Sequence, residues 1–233
     1  MYDIIFISYN ESNADKNFEL LKKRFPLSKR VNGVKGIHQA HIAAAKKSFT
    51  NMFWAIDGDA EILDSFNFNY EVPRDQLDFV HVWRSRNPIN DLEYGYGGVK
   101  LLPKKLTMLM DISNIDMTTS ISHLFKSMDE VSNVTSFNTD PFSAWRSGFR
   151  ECAKLASSTI DRQDYLETAA RLKIWCSVGR DRPYGDYAIR GALEGRYYGE
   201  KNAGNKPALE LINDFDWLMI QFQQSQTSAE TLY

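Results

Sequence analysis

The stretch Met52-Phe-Trp-Ala-Ile-Asp-Gly-Asp-Ala-Glu-Ile-Leu63 begins with five consecutive apolar residues. Because the run contains a β-branched and two aromatic side chains, it predicts a strand covered on both faces, as in a parallel or mixed sheet. Asp57, Gly58 and Asp59 follow directly. Two carboxylates one residue apart, with a glycine that lets the backbone approach a ligand, suit a divalent cation that in turn holds phosphate. Asp-Gly between apolar runs is also a hairpin turn signal, so both interpretations stay open here.

The same spacing recurs at Asp214-Phe-Asp216, which lies in a helical pattern. Spacing alone therefore does not identify a metal site. The position of Asp57 at the end of a predicted strand is needed to distinguish a metal site from a turn.

The composition is that of an ordinary globular protein. The chain has 233 residues with a net charge of -2, which allows one large domain or two small ones and excludes attraction of the whole protein to nucleic acid. Apolar runs are far shorter than the roughly 20 residues of a membrane span, and no basic segment precedes the first strand. We therefore expect a cytoplasmic protein with no membrane partner.

Cysteine and histidine residues give little sign of a metal site. Cys152 and Cys176 lack metal-type spacing and are predicted to be reduced and buried rather than joined in a disulfide. His38 and His41 are three residues apart, but no third ligand follows at a suitable spacing, so a packing role is favoured.

Strands and helices alternate before Asp57. Apolar runs predict strands, and helical spacing of apolar residues predicts the helices between them. The order predicts an α/β fold with a mostly parallel sheet flanked by helices, which binds ligands beyond the carboxyl ends of its strands. Asn10 should then lie at the same edge as Asp57 and Asp59. The predicted elements are strands at 3–9, 28–31 and 52–56 and helices at 12–25 and 37–49.

The middle of the chain contains a further strand, 78–84, and a glycine-rich stretch, Tyr94-Gly-Tyr-Gly-Gly-Val-Lys100. Glycine backbone and aromatic faces suit contact with a sugar or base, whereas a plain hairpin is the alternative. Polar stretches at 116–120 and 128–133 are predicted as loops whose carboxylates are candidate general bases.

The C-terminal part is predicted to be helical. Asp140-Pro141 is a typical helix start, and further helices are predicted over 163–175, 186–198 and 207–222, followed by a frayed tail, 223–233. No clear domain boundary is visible, so we expect a single domain over 1–233.

A first strand that ends in Ser8-Tyr9-Asn10 is followed by two further β-α units and by an apolar strand that ends in Asp57-Gly58-Asp59. This arrangement resembles the nucleotide-sugar glycosyltransferases of the GT-A fold, which is Rossmann-like, over roughly the first 110 residues. Four phrases are more specific: Val31-Asn-Gly-Val-Lys-Gly36, Phe53-Trp-Ala-Ile-Asp-Gly-Asp59, His81-Val-Trp-Arg-Ser-Arg-Asn-Pro88 and Tyr94-Gly-Tyr-Gly-Gly-Val-Lys100. Together they resemble phage-encoded, family 2-like glycosyltransferases, some of which attach sugars such as arabinose to hydroxymethylcytosine in phage DNA.

The resemblance implies a donor site for a UDP-sugar. Residues 1–110 would bind the nucleotide sugar, and 111–222 would form the acceptor side. Asp59 would ligate Mn²⁺ or Mg²⁺ directly, and Asp57 would contact ribose or a metal-bound water, with Gly58 between them. The loop Ser8, Tyr9 and Asn10 would receive uracil and ribose.

An inverting mechanism would require a base, for which Asp129 or Glu130 is chosen, with Asp116 behind them; a retaining mechanism would not. The chain lacks the Glu-Asp-x-x-x basic helix motif common in the family after the third unit, so the stereochemistry stays open.

A double-stranded DNA acceptor would require cations for phosphate and aromatic rings for a flipped base. The candidates for phosphate contacts are Arg84, Arg86, Lys100, Arg146 and Arg150, and those for stacking are Trp83, Tyr94 and Tyr96. Core packing is the alternative for the aromatic residues. Two other classes also stay open: a glycosyltransferase acting on a glycan or protein, and a non-catalytic nucleotide-binding or DNA-binding module.

Overall fold

The computed structural model describes residues 1–95, 97–159 and 164–230. They divide into two compact units, with the boundary after Ser136. The chain returns to the sheet of the first unit as late as Thr135, which pairs with Ala60. Within the described residues, no helix has the length and apolar character needed to cross a membrane.

The first unit contains a β-sheet with helices. Its strands are β1 (Asp3–Ser8), β2 (Lys29–Asn32), β3 (Met52–Asp57), β4 (Ala60–Ile62), β5 (Val80–Arg86), β6 (Glu93–Tyr94), β7 (Val99–Pro103) and β8 (Phe125–Thr135). Its helices are α1 (Ala14–Arg24), α2 (Ile37–Lys47), α3 (Lys104–Met108) and α4 (Met117–Ile121), with a short 3-10 helix at Arg74–Gln76.

The sheet is mixed. Its strand order is β2-β1-β3-β7-β5-β8-β4, and β6 pairs with β5. β1 runs parallel to β2 and β3, whereas β7 runs antiparallel to β3 and β5. The predicted α/β class is confirmed, but the sheet is not mostly parallel, because β5 returns as β7 without the helical crossover that a parallel pair requires.

β3 is covered on both faces, as its apolar run predicts. Phe53 and Ala55 point to one side, where the alanines of α2 pack. Trp54 and Ile56 point to the other side, together with residues of α1. Since alternate residues of a strand face opposite sides, a strand between two cores must be apolar throughout.

Two stretches predicted as polar loops form regular structure. Residues 116–120 contain most of α4, with Asp116 as the N-cap. Residues 128–133 belong to β8, which pairs with β5 in parallel and with β4 in antiparallel orientation. Polar side chains are compatible with this strand because its first half is largely exposed or half-buried.

The second unit is helical, as expected. Its helices are α5 (Pro141–Ala156), α6 (Tyr165–Trp175), α7 (Gly185–Lys201), α8 (Lys206–Glu210) and α9 (Phe215–Glu230). The prediction of one helix over 207–222 is wrong, because a 3-10 turn at Leu211–Asn213 separates α8 from α9. The predicted tail is also helical as far as Glu230.

α5 and α7 approach each other closely along a line of glycines. A methyl group on Gly191 would lie 2.0 Å from the Trp145 carbonyl oxygen, and one on Gly195 would lie 2.1 Å from that of Phe149. Gly199 repeats the pattern against Ala153. Glycine at every fourth position of α7 therefore allows backbone-to-backbone packing that a larger residue would block.

Candidate donor site at the ends of β1 and β3

The carboxyl ends of two neighbouring parallel strands bring the predicted donor residues together. Ile7 of β1 lies opposite Asp57, the last residue of β3. Ser8, Tyr9 and Asn10 therefore follow directly after the residue that faces Asp57, and a close approach of Asn10 to Asp57 and Asp59 stays a prediction.

The Asp-Gly-Asp segment is not the turn of a hairpin. Gly58 and Asp59 lead from β3 into β4, and β4 pairs with β8, at the far end of the strand order from β3. The Asp59 carbonyl oxygen accepts a hydrogen bond from Ser136 N at 2.7 Å. Asp57-Gly58-Asp59 therefore lies at the carboxyl end of β3, and α/β sheets bind ligands beyond the carboxyl ends of their strands.

Asp57 is fixed from two sides. Its Oδ1 lies 2.8 Å from Lys100 Nζ, and its backbone N–H donates to the Gly98 carbonyl oxygen at 2.9 Å. The Asp57 side chain is 37% exposed and the Lys100 side chain 3% exposed. The carboxylate thus faces solvent while a buried ammonium holds one of its oxygens.

Gly58 is in a crowded position. A methyl group there would lie 2.7 Å from Glu11 Oε2 and 3.0 Å from Ser8 Cβ. The Gly58 carbonyl oxygen accepts a hydrogen bond from Asn17 Nδ2 at 3.1 Å. The absence of a side chain at Gly58 therefore allows the loop after β1 and the start of α1 to approach the carboxylates.

Glu11 and Asn17 were not among the predicted site residues. Glu11 Oε2 accepts a hydrogen bond from the backbone N–H of Tyr9 at 2.7 Å, which shapes the loop after β1. The sequence shows Glu11 only within a group of turn-forming residues. The contact with Gly58 joins positions 47 residues apart, and no local pattern indicates it.

The loop Ser8, Tyr9 and Asn10 contains one buried and two exposed residues. The Ser8 hydroxyl donates to Asn32 Oδ1 at 2.8 Å and accepts from Arg30 Nε at 2.9 Å. Since that hydroxyl already has protein partners, Tyr9 and Asn10 are the members of the loop that face solvent.

The three candidate bases have different surroundings. Asp129 and Glu130 are exposed and lie where the pairing register between β5 and β8 shifts, an irregularity of the kind often found beside active sites. Asp129 Oδ1 lies 2.7 Å from Arg84 Nη2. Asp116 Oδ1 instead accepts the Thr119 N–H as a helix cap, which leaves it less suited to act as a base.

The predicted stacking residues and Lys100 differ from a surface platform for DNA in the first unit. Trp83 is 1% exposed and packs 4.6 Å from the ring of Trp54, so it cannot stack on a base without leaving the core. Tyr94 is buried as well, and Tyr96 lies outside the described residues. Lys100 faces Asp57, which removes it from the surface.

The predicted arginines fall into two pairs. Arg84 and Arg86 belong to β5, pair with Asp129 and Glu93, and keep 41% and 47% of their side chains exposed. Arg146 and Arg150 belong to the second unit. Arg150 Nε donates to the Ile212 carbonyl oxygen at 2.8 Å, which is a structural role.

Among the residues that the structure describes, side chains alone do not form a complete set of ligands for a metal ion. The described part of the chain contains no group of three or more His, Cys, Asp or Glu residues placed to hold a metal ion. His41 is buried in α2, and burial, followed by the charge of Lys100, lowers its pKa to about 3. A cation at Asp57 and Asp59 would therefore take its remaining ligands from substrate and water.

The chain is similar in structure to known proteins but not in sequence. No family model matches the chain, and no curated protein does. A solved structure, the crystal structure of a glycosyltransferase involved in the glycosylation of the major capsid of PBCV-1, is similar with a TM-score of 0.37 and 15% sequence identity. The likeness covers 55% of this chain and 82% of that one. At that level of similarity, activity has to be inferred from the site itself.

Proposed function

We propose that the protein is a metal-dependent glycosyltransferase that uses a UDP-sugar as donor. The observation that carries the proposal is the position of Asp57-Gly58-Asp59 at the carboxyl end of β3, beside the end of the parallel strand β1. Clefts at this edge of α/β sheets bind nucleotides, and paired carboxylates there suit a cation that bridges to a diphosphate.

The donor set fits Mn²⁺ or Mg²⁺. Such ions commonly take one or two protein carboxylates and complete their coordination with phosphate oxygens and water. Asp59 is the proposed direct ligand, and Asp57, already held by Lys100, is proposed to meet ribose or a bound water. When bound, the ion would neutralise charge on the departing nucleotide.

The loop after β1 is proposed to bind the nucleoside. Tyr9 and Asn10 are exposed and follow β1, whose Ile7 lies opposite Asp57 at the end of β3. The tyrosine ring offers a face for uracil, and the asparagine amide offers hydrogen bonds to base or ribose. Glu11 Oε2 accepts a hydrogen bond from the backbone N–H of Tyr9, which favours this conformation of the loop.

The acceptor is proposed to be a hydroxyl group, and the resemblance of the sequence favours 5-hydroxymethylcytosine in double-stranded DNA. Arg84 and Arg86 are half exposed. A guanidinium has five N–H donors, so each arginine retains donors for phosphate while paired with a carboxylate. Asp129, at the register shift of β8, remains the candidate base for an inverting reaction.

The test is a transfer assay with a panel of UDP-sugars and Mn²⁺. Hydroxymethylated DNA, unmodified DNA and a glycan mixture serve as acceptors, and mass spectrometry of the digested products identifies the modified nucleoside. We expect transfer to hydroxymethylated DNA, lost on chelation of the metal and reduced at least about 100-fold in Asp59→Asn, since charge stabilisation of this kind is typically the largest catalytic contribution.

Asp216→Asn is the matched control, because Asp216 has the same Asp-x-Asp spacing but lies in the first turn of α9. It should keep full activity. Transfer to glycans instead of DNA would show that the proposed acceptor is wrong but would leave the proposed donor site in place. Full activity of Asp59→Asn would contradict the proposed function.

A further inference from the structure

Lys100 is a buried cation in the middle of the sheet. It lies on β7, opposite Ala55 of β3 and Val82 of β5, and the residue is 2% exposed. Taking an ammonium group out of water is costly unless a counter-charge and hydrogen bonds compensate for it. A lysine at such a position therefore requires a specific partner.

Asp57 is that partner. Lys100 Nζ donates to Asp57 Oδ1 at 2.8 Å, and it also donates to the carbonyl oxygen of Gly97. Among the described residues, Asp57 is the carboxylate that pairs with Lys100. One carboxylate oxygen of the proposed donor site is thus committed to a protein cation before any ligand arrives.

His41 of α2 is a buried neighbour of Lys100, whose charge contributes to lowering the pKa of His41. His41 is 2% exposed, and its Nδ1 lies 2.8 Å from the Ile37 carbonyl oxygen, to which it donates in the neutral ring. Its Nε2 has no hydrogen-bond partner within the described parts of the chain. The imidazole adds no charge, so it does not compete with Lys100 for Asp57.

We propose that Lys100 is a positioning residue that holds and neutralises Asp57, so that the free protein does not capture a divalent cation at the carboxylate pair before the nucleotide sugar binds. The inference rests on the proposed function for the identity of that cation. It assigns the site a low affinity for metal alone, with the diphosphate supplying the charge that completes the binding.

Lys100→Met gives the decisive prediction, because it removes the cation but leaves Asp57 half exposed to water. Unit charges a few ångströms apart near a protein surface interact strongly enough to change a divalent-ion affinity by about tenfold or more. The affinity of the nucleotide-free protein for Mn²⁺, measured by electron paramagnetic resonance of free Mn²⁺, should therefore rise about tenfold or more. A lysine with only a structural role would leave that affinity unchanged or lower it.

Two further variants complete the design. Lys104→Met is the control that removes a lysine charge at the start of α3, where Lys104 Nζ donates to the Ser48 carbonyl oxygen. Its Mn²⁺ affinity should stay within about twofold of the wild type, since solvent and salt screen the charge of Lys104 from the carboxylate pair. The double variant Lys100→Met, Asp57→Asn removes both members of the ion pair. Its Mn²⁺ affinity should match that of the wild type.

The outcomes separate this inference from the proposed function. An unchanged or lower Mn²⁺ affinity in folded Lys100→Met would overturn the role of Lys100, as would failure of both wild type and variant to bind Mn²⁺ at millimolar concentration. If Lys100→Met does not fold, the double variant decides: a tenfold loss of Mn²⁺ affinity would show that Asp57 already ligates the metal. If Lys100→Met shows the expected rise in Mn²⁺ affinity but the protein does not bind UDP, the proposed function is contradicted and the role of Lys100 is not.

Discussion

Gly195→Ala tests the packing of α5 against α7 in the second unit. The new methyl group would lie 2.1 Å from the Phe149 carbonyl oxygen, 2.6 Å from its Cα and 2.7 Å from its carbonyl carbon. All three atoms belong to the backbone, so no side-chain rotation relieves the overlap. The two helices have to separate by about 1 Å or more to restore normal contact distances.

The cost follows from two opposing terms. Alanine favours a helix over glycine by about 1 kcal/mol, whereas overpacking typically costs about 1–3 kcal/mol and more where the structure cannot relax. Separation at Gly195 also loosens the close approaches at Gly191 and Gly199. Because backbone atoms cannot rotate away, we take the upper end of the overpacking range, about 3 kcal/mol, and expect a net loss of about 2 kcal/mol in the free energy of unfolding. This loss lowers Tm by about 4–8 °C for a chain of this size.

Thermal and urea unfolding followed by circular dichroism measure this effect. Leu193→Ala is the control on the same helix, since Leu193 is 51% exposed and should change stability by no more than about 0.5 kcal/mol. A Gly195→Ala protein as stable as the wild type, or more stable, would refute the close helix packing.

Two further predictions concern titratable groups. Burial is the main cause that lowers the pKa of His41 in the folded protein to about 3. Between about pH 6.5 and about pH 3, the unfolded chain therefore binds a proton at His41 that the folded chain does not bind. The free energy of unfolding should fall by about 1.4 kcal/mol for each unit that the pH is lowered through this range. Urea unfolding across that range should show the slope, and it should flatten in His41→Leu; equal slopes in the two proteins would contradict the burial of a neutral imidazole. The hydrogen bond from Cys152 lowers the pKa of Cys176 to about 7, while burial raises that of Cys152. Iodoacetamide at pH 7.5 should therefore modify Cys176 first, as followed by peptide mass spectrometry, and Cys152→Ala should slow that modification; preferential labelling of Cys152 would argue against this assignment.

The part of the fold with a local signal could be predicted. The apolar run of β3 is buried on both faces, and its register with β1 places Asp57 beside the loop after Ser8. The helix start at Asp140 forms as its cap residue predicts, with Asp140 Oδ1 accepting the Ser143 N–H at 2.8 Å. Periodicity and capping chemistry determine these features within a few residues of sequence.

The features that depend on distant contacts could not be predicted. β8 combines an exposed first half with a buried end, so its polar sequence has neither strand alternation nor a continuous apolar run. The sequence makes Trp83 a candidate for stacking on a base, but its ring packs against Trp54 in the core. A lysine in a glycine-rich stretch is typical of the surface, whereas Lys100 is buried against the carboxylate of Asp57, 43 residues earlier in the chain.

The glycines of α7 show the same limit in another form. Gly191, Gly195 and Gly199 are spaced by four, a pattern that places small residues on one helix face. The spacing was available in the sequence, but it does not identify the partner helix. The partner becomes evident only from the contacts with α5.

The central claim is that Asp57 and Asp59 form the metal and diphosphate end of a donor site, and thermal stabilisation by UDP with Mn²⁺ tests it most directly. A ligand that binds the folded state at 100 times its dissociation constant stabilises the protein by about 2.7 kcal/mol. We predict a clear rise in Tm with UDP and Mn²⁺ together, little with either alone, and loss of the rise in Asp59→Asn but not in Asp216→Asn. No rise with both ligands, or an equal rise in Asp59→Asn, would contradict the claim.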